Sequence, residues 1–170
     1  MTAQERRDRI RGILAGASGP ISASALAAQM GVSRQIVVGD IALLRAEGRN
    51  ITATPRGYMI VTTGGITVQL AVCHTGSQTR EELYAMVDCG CTVQDVVVEH
   101  PVYGQLTAVL QLSSRYDVDQ FMIRMADNDA RPLSLLTEGI HLHTVSCPTA
   151  DAMRHMKAQL RAMGVLLEEN

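Results

Sequence analysis

The sequence predicts a two-domain α+β fold, in which three short helices and a β-hairpin precede a small domain with an antiparallel sheet covered by helices. Two observations support this division. Residues 1–60 contain eight arginines against four acidic residues, whereas residues 61–170 contain seven basic residues against 13 acidic ones. Helical patterns fill most of the first part, while strand and helix patterns alternate in the second. We therefore expect domains at residues 1–62 and 66–170, separated by a short joint at Thr62–Gly65.

Three amphipathic segments open the first domain, and each begins at a residue that favours a helix N-cap. Thr2 and Glu5 form a capping-box pattern, and Ser22 and Ser33 precede the other two segments. The predicted helices run over Thr2–Gly16, from Ser22 to Gly31 and over Arg34–Glu47. Apolar residues at helical spacing are expected to face the core, namely Ile10, Ile13, Leu14, Leu26, Ala27, Met30, Ile36, Val37, Ile41 and Leu44.

A short turn containing Gly31 joins the second helix to the third. Two helices joined by a three- or four-residue turn with glycine are typical of a helix-turn-helix. In that motif the second helix places its N-terminal side chains at base edges in the major groove of DNA. The candidate DNA-binding residues of this helix are Ser33, Arg34, Gln35 and Val38.

A hairpin pattern follows, with strands at Ile51–Thr54 and Tyr58–Val61 around the turn Pro55-Arg56-Gly57. This is the wing of a winged helix-turn-helix, and Arg56 at its tip is expected to contact phosphate or the minor groove. The alternative is a three-helix bundle whose hairpin binds protein. The local positive charge, together with the turn and the helix lengths, favours DNA.

The second domain is predicted to follow the order β-α-β-β-α-β-α. The strands are expected at Ile66–His74, Thr92–His100, Gln105–Leu112 and Ile140–Cys147, and the helices at Arg80–Asp88, Asp117–Ala126 and Thr149–Met163, with Thr79 capping the first helix. One tight hairpin in this order indicates an antiparallel sheet covered by helices on one face. The helix side of the core is expected to come from Leu83, Val87, Phe121, Ile123 and Met125.

The histidines of the second domain indicate a metal site. Side chains alternate along a strand, so His141 and His143 point to the same face, with Leu142 between them facing the core. His74 ends the first strand, and Glu82 lies near the start of the next helix, so the loop between them can bring both together. Three imidazoles and one carboxylate suit nickel, zinc, iron or cobalt. Exposed strand faces also carry histidine pairs, so spacing alone leaves the ordinary surface interpretation open.

Other features limit the class of protein. The N-terminus has no apolar stretch of the kind found in a signal peptide, and no segment is long and apolar enough to cross a membrane. We therefore expect a cytoplasmic location and reduced thiols at the four cysteines. His100, at the end of a strand, is expected to border the same cavity as the other histidines, and His155 to be a solvated helix residue.

Taken together, these segments resemble the nicotinate-responsive repressors of NAD synthesis, which combine a winged helix-turn-helix with a 3H domain. The resemblance covers nearly the whole chain. It rests on residues 31–35, on Asp40-Ile-Ala-Leu-Leu-Arg45, on Ala53-Thr-Pro-Arg-Gly-Tyr58, on the spacing of His74 and Glu82, on residues 98–104 and on Gly139-Ile-His-Leu-His-Thr144.

The resemblance implies a metal, nickel or zinc first, held by His74, Glu82, His141 and His143. It also implies nicotinic acid, or a related pyridine, as co-repressor near that metal. The carboxylate of nicotinic acid needs a hydrogen-bond donor, and we expect Arg80, His100 or Tyr103 to supply it. A homodimer is expected to bind palindromic double-stranded operators of NAD-biosynthesis or niacin-uptake genes. Gly39 departs from the polar residue expected within the recognition helix, and this departure weakens the inference about operator sequence.

Two other functions fit part of this pattern. The chain could be a repressor that senses the metal itself, with no organic effector. It could also be a metal-dependent hydrolase fused to a DNA anchor, although four protein ligands leave less room for an activated water than the usual three. No serine or cysteine nucleophile pattern accompanies the histidines.

Overall fold

The protein is described here from a computed structural model that covers residues 1–61 and 65–168. The chain divides into two compact units, residues 1–62 and 63–170. Of the predicted joint Thr62–Gly65, all but Gly65 lies outside the described residues. Among the described residues, no helix is both long enough and apolar enough to span a lipid bilayer.

Three helices and a hairpin form the first unit, as predicted. The helices are α1 (Ala3–Gly16), α2 (Ala23–Met30) and α3 (Arg34–Ala46). Thr2 and Glu5 complete the capping box, and the hydroxyls of Ser22 and Ser33 accept hydrogen bonds from the first turns of α2 and α3. Gly31, between α2 and α3, has a left-handed φ of 65°, which explains why the helix-turn-helix turn contains glycine.

One core holds these helices together, and it is made of aliphatic side chains such as Ile10, Leu26 and Leu44. Ile36 was predicted to be part of it, and that prediction is wrong, because its side chain is 43% exposed. The buried side of α3 instead follows Val37, Asp40, Ile41 and Leu44. Ile36 lies about 100° around the helix from Val37 and so falls outside that side.

A buried carboxylate fixes α1 against α3. Asp40 is 3% exposed, and its two oxygens accept hydrogen bonds from Arg6 at 2.5 and 3.1 Å. Arg7 approaches the same carboxylate at 3.8 Å. Burial of a carboxylate is costly unless a partner neutralises it, and two arginines do so here. They therefore hold α3 in a fixed orientation against α1.

The predicted wing is a two-stranded hairpin of β1 (Ile51–Thr54) and β2 (Gly57–Ile60). Backbone hydrogen bonds of 2.9 Å in both directions tie Tyr58 to Ile21, just before α2. Gly57 has a φ of 139°, and a Cβ there would lie 2.3 Å from the Ile21 carbonyl oxygen. Glycine is thus required where the wing meets the helices.

The second unit is an antiparallel four-stranded sheet with three helices, in the predicted element order. Its strands lie side by side in the order β3 (Ile66–Cys73), β6 (Ile140–Cys147), β4 (Thr92–His100) and β5 (Gly104–Leu112). The helices are α4 (Thr79–Val87), α5 (Arg115–Asp127) and α6 (Ala150–Ala162). Two short 3-10 turns, at Gly76–Gln78 and Leu133–Thr137, precede α4 and β6.

Side chains of all three helices pack on one face of the sheet. Leu83, Val118 and Met156, from α4, α5 and α6, join Val93 and Val145 of the sheet in one core. Leu83, Val87 and Phe121 contribute as predicted, but Ile123 is 47% exposed, and Met122 packs against the core in its place. Ile123 follows Phe121 by two residues, which turns it about 200° around α5.

No disulfide joins the four cysteines, all of which lie within the described residues. Cys91 and Cys147 are both fully buried, and their sulfur atoms are 2.9 Å apart.

Candidate functional site

Three histidines and one glutamate meet beneath the helices of the second unit. His141 and His143 lie on β6, His74 directly follows β3, and Glu82 lies in the first turn of α4. All four are buried, Glu82 completely. His141 and His143 lie on the same face of β6, as predicted. The prediction that Leu142 faces the core is wrong. The two histidines share the helix-covered face with Val145, while Leu142 is half-buried on the opposite face.

The Glu82 carboxylate is at the centre of the cluster. His74 Nε2 is 2.5 Å from Glu82 Oε2, whereas His141 Nε2 and His143 Nε2 are 3.4 and 3.3 Å from Oε1. The ligand atoms of His74, Glu82 and His141 all lie within 4.8 Å of one another. The structure therefore brings together the four residues that were predicted as metal ligands.

The other ring nitrogen of each histidine has a backbone partner. His74 Nδ1, His141 Nδ1 and His143 Nδ1 lie 2.6, 2.9 and 2.6 Å from the carbonyl oxygens of Thr75, Gly139 and Asp95. A carbonyl oxygen only accepts hydrogen bonds, so each neutral imidazole carries its proton on Nδ1. The three Nε2 lone pairs then face the Glu82 carboxylate. This is the outer-shell arrangement that orients histidine ligands around a metal.

Glu82 Oε1 is buried and faces two imidazole nitrogens, His143 Nε2 at 3.3 Å and His141 Nε2 at 3.4 Å. Burial opposes ionisation of Glu82, but the charge of protonated His143 and hydrogen bonds from the three imidazoles hold its pKa well below the usual value. Burial likewise opposes protonation of His74 and His143, yet contact with Glu82 raises the pKa of both. The Glu82 carboxylate therefore favours positive charge at the imidazoles around it.

A break in strand register positions His143. The pairing of β4 with β6 shifts between Val93 and Val97, and Asp95 lies in that interval. Its backbone oxygen is free to accept from His143, and its carboxylate accepts a 2.9 Å hydrogen bond from the Thr144 amide. Such bulges commonly redirect groups near functional sites.

Gly139 brings the two ends of the cluster together. It has a φ of 94°, and a Cβ there would lie 2.4 Å from the His74 carbonyl oxygen. The Gly139 oxygen also accepts hydrogen bonds from the His74 amide and the His141 ring. The end of β3 can therefore approach the start of β6 only because residue 139 has no side chain.

A cavity of about 440 Å³, which includes the solvent at its mouth, adjoins the cluster. Glu82, His141 and His143 form its polar wall. The other side is mostly apolar and includes Leu83, Val96, Leu110, Phe121, Met122, Met125, Pro132 and Leu133. A few polar groups in an otherwise apolar lining are typical of small-molecule sites.

Thr79 also lines this cavity, and sequence reasoning missed its role. It was predicted to cap α4, but the helix begins at Thr79 itself, with Gln78 in the cap position and no side-chain capping bond. The Thr79 hydroxyl is buried and has no hydrogen-bond partner in the part of the chain that the structure describes. A buried hydroxyl beside a cavity is available to hydrogen-bond with a molecule bound there.

The three residues predicted to bind an effector carboxylate do not line the cavity. Arg80 pairs with Asp119 and Tyr84 on the surface formed by α4 and α5. His100 and Tyr103 stack at the β4–β5 hairpin, and Tyr103 is 74% exposed. Val97 of β4 pairs with Leu142, near the start of β6. Because the strands are antiparallel, His100 at the end of β4 lies past the start of β6 and away from the cavity.

In the first unit, the predicted DNA-binding residues surround the start of α3 and the tip of the wing. Ser33 caps α3, Arg34 and Gln35 are exposed in its first turn, and Val38 is half-buried against the core. Arg56 lies in the turn between β1 and β2. The exposed Ile36 belongs to the same turn as Arg34 and Gln35, although its apolar character suggested a core position.

Comparison with known protein families matches both units. Residues 6–59 match the model of an HTH domain, and residues 67–169 match that of the 3H domain. The molecule is thus a helix-turn-helix protein with a 3H domain.

Two full-length relatives identify the family. The chain is 40% identical to the probable transcription repressor NiaR of Thermotoga maritima over 167 residues, which are 98% of this chain and 95% of that protein. It is 37% identical to the transcription repressor NadR of Bacillus subtilis over 169 residues, covering 96% and 94%. The chain belongs to this family of transcription repressors, which are not enzymes. Its helix-turn-helix is a DNA-binding domain.

Proposed function

We propose that this repressor is controlled by nicotinic acid, which binds beside a metal ion held by His74, Glu82, His141 and His143. One observation carries the proposal: three Nε2 lone pairs and a buried carboxylate converge, while every Nδ1 is occupied by a backbone carbonyl. Such a set of acceptors needs a cation, and imidazole with carboxylate suits nickel or zinc. The metal, when bound, supplies a Lewis acid for a pyridine nitrogen or a carboxylate.

The lining of the cavity beside the cluster suits the chemistry of the rest of this effector. Its apolar side suits the faces of an aromatic ring, and the Thr79 hydroxyl is a donor without a partner among the described residues. Nicotinic acid combines an aromatic ring with a carboxylate that accepts hydrogen bonds. Thr79 therefore replaces Arg80, His100 and Tyr103 as our candidate for holding the polar end of the effector.

Control of DNA binding requires two states of the molecule with different affinities for the effector. We propose a homodimer in the cytoplasm whose two recognition helices enter successive major grooves of a palindromic operator, about 34 Å apart. Nicotinic acid favours that arrangement and acts as co-repressor. Operators of NAD-biosynthesis or niacin-uptake genes are the expected targets, because their products supply or use this compound.

The test is DNA affinity under four conditions. A double-stranded site is first selected from a random pool by the full chain with nickel and nicotinic acid. Its Kd is then measured on chelator-treated protein, with nickel, with nicotinic acid and with both. We expect the lowest Kd when nickel and nicotinic acid are both present. It should be lower than the Kd under the other three conditions by a factor between about 5 and 150, which is the usual range of coupling between two sites.

Three variants sharpen this experiment. His143→Ala should abolish the response, whereas the matched change His155→Ala, at an exposed histidine of α6, should preserve it. Thr79→Val keeps the branched shape and should raise the required nicotinic acid concentration roughly tenfold without changing metal content. Equal affinity with and without nicotinic acid would contradict the proposal. A full response to nickel alone would identify a metal-sensing repressor instead.

A further inference from the structure

Ile36 is exposed at a position where an aliphatic side chain is unexpected. It is the third residue of α3, and its side chain is 43% exposed. Single apolar residues on a protein surface are ordinary, so exposure alone means little. The position is informative, because the first turn of this helix is the part that enters the major groove in a helix-turn-helix protein.

The outward side of α3 is unusually free of long side chains. The side opposite the buried Val37, Ile41 and Leu44 presents Gln35, Gly39, Ala42 and Ala46, all exposed. A Cβ added at Gly39 would meet no atom within 4 Å. The helix backbone can therefore approach a groove closely, with Gln35 on the outward side and Ile36 on its flank in the same turn. The departure of Gly39 from a polar residue fits this close approach.

The chemistry of the major groove defines what an aliphatic side chain can recognise there. The 5-methyl group of thymine is the one apolar group among the base edges, and apolar side chains contact it. Glutamine, in contrast, binds adenine through two hydrogen bonds. We propose that Ile36 is a specificity-determining residue that contacts a thymine methyl in each operator half-site, next to the base pair that Gln35 contacts.

Leu43 provides a matched control within the same helix. It is also aliphatic and 52% exposed, but it follows Ile36 by seven residues. Two helical turns place it about 10 Å further along the axis, beyond the reach of the same base pair. Replacement of either residue leaves the buried side of α3 unchanged.

The experiment removes methyl groups from the DNA and leaves the protein unchanged. In a site selected by the wild-type chain from a random pool, each thymine is replaced in turn by deoxyuridine, which lacks only the 5-methyl group. The Kd of each DNA is measured for the wild-type chain, Ile36→Ala and Leu43→Ala. We expect one thymine per half-site at which the wild-type chain loses about fourfold in affinity, the worth of one buried methyl group.

Ile36→Ala should bind thymine and deoxyuridine equally at that position, and Leu43→Ala should discriminate as the wild-type chain does. Three results would overturn the proposal. They are a wild-type chain indifferent to deoxyuridine at every position, discrimination by Ile36→Ala equal to that of the wild type, and loss of discrimination in Leu43→Ala. Because the first readout uses the unmodified chain, a folding defect in a variant cannot produce it.

Discussion

Glu82 is the only carboxylate in contact with the three imidazoles of the cluster within the described residues. Its neighbour Glu81 carries the same group but is exposed to solvent. Two consecutive residues of α4 thus differ in environment, because the Glu82 carboxylate faces three imidazoles whereas the Glu81 carboxylate faces solvent. Both residues are glutamates, so the difference in their surroundings comes from burial and not from residue type.

Glu82→Gln tests that role. The substitution preserves size but removes the negative charge, so we expect the affinity for nickel or zinc to fall. Loss of a residue that only supports a ligand typically costs at least about tenfold in metal affinity, so the loss of a ligand should cost more than that. Competition with a chromogenic chelator measures this affinity. Glu81→Gln, the matched control, should bind the metal as tightly as the wild-type chain. Unchanged affinity in Glu82→Gln would exclude this carboxylate as a ligand.

At the scale of single residues, the sequence predicts the cluster well and its surroundings poorly. Strand alternation is a local property, so it correctly joined His141 to His143. Which face of β6 the helices cover depends on distant segments, so Leu142 was assigned to the wrong side. Thr79 was expected to be a cap because a threonine before a helical pattern usually is one, but α4 begins at Thr79 itself, so its hydroxyl makes no capping bond.

Strand ends and the turns between them do most of the positioning in the second unit. The approach of β3 to β6 depends on Gly139, and the orientation of His143 depends on the shifted register at Asp95. Sequence patterns predicted the order and type of the elements. The shift in register was not predictable, because it arises from pairing between strands that are about 50 residues apart in the chain.

Gly139→Ala tests this positioning. A Cβ would collide with the His74 backbone, and the left-handed φ adds strain, so the turn must move away from β3. We expect lower metal affinity together with a stability loss of roughly 1–3 kcal/mol, typical of strain at a special backbone conformation. Denaturant unfolding and chelator competition measure the two effects. Gly76→Ala, where a Cβ would meet only a proline side-chain atom at 4.0 Å, is the control and should change neither.

At the scale of the whole molecule, each unit has a separate core and a separate charge balance. The arginine-rich first unit is built on aliphatic helices, and the acidic second unit contains all five histidines. This division was visible in the sequence because charge and composition are properties of long segments. Individual exceptions such as Ile36 were not visible, since helical periodicity does not mark where the buried side of a helix ends.

The ion pairs of Asp40 have a consequence for how this protein responds to ionic strength. Each arginine that neutralises a DNA phosphate releases counterions, and log Kd then changes with log salt by about 0.9 per contact. Arg6 and Arg7 are occupied by a buried carboxylate, so fewer arginines remain for phosphates than the eight in residues 1–60. Because Arg7 still faces Asp40 when Arg6 is replaced, we expect Arg6→Gln to leave this slope unchanged, although the variant is less stable, and Arg56→Gln to reduce it by about 0.9 per protomer. Salt titrations of operator affinity measure both slopes, and a reduced slope for Arg6→Gln would show that this arginine contacts DNA after all.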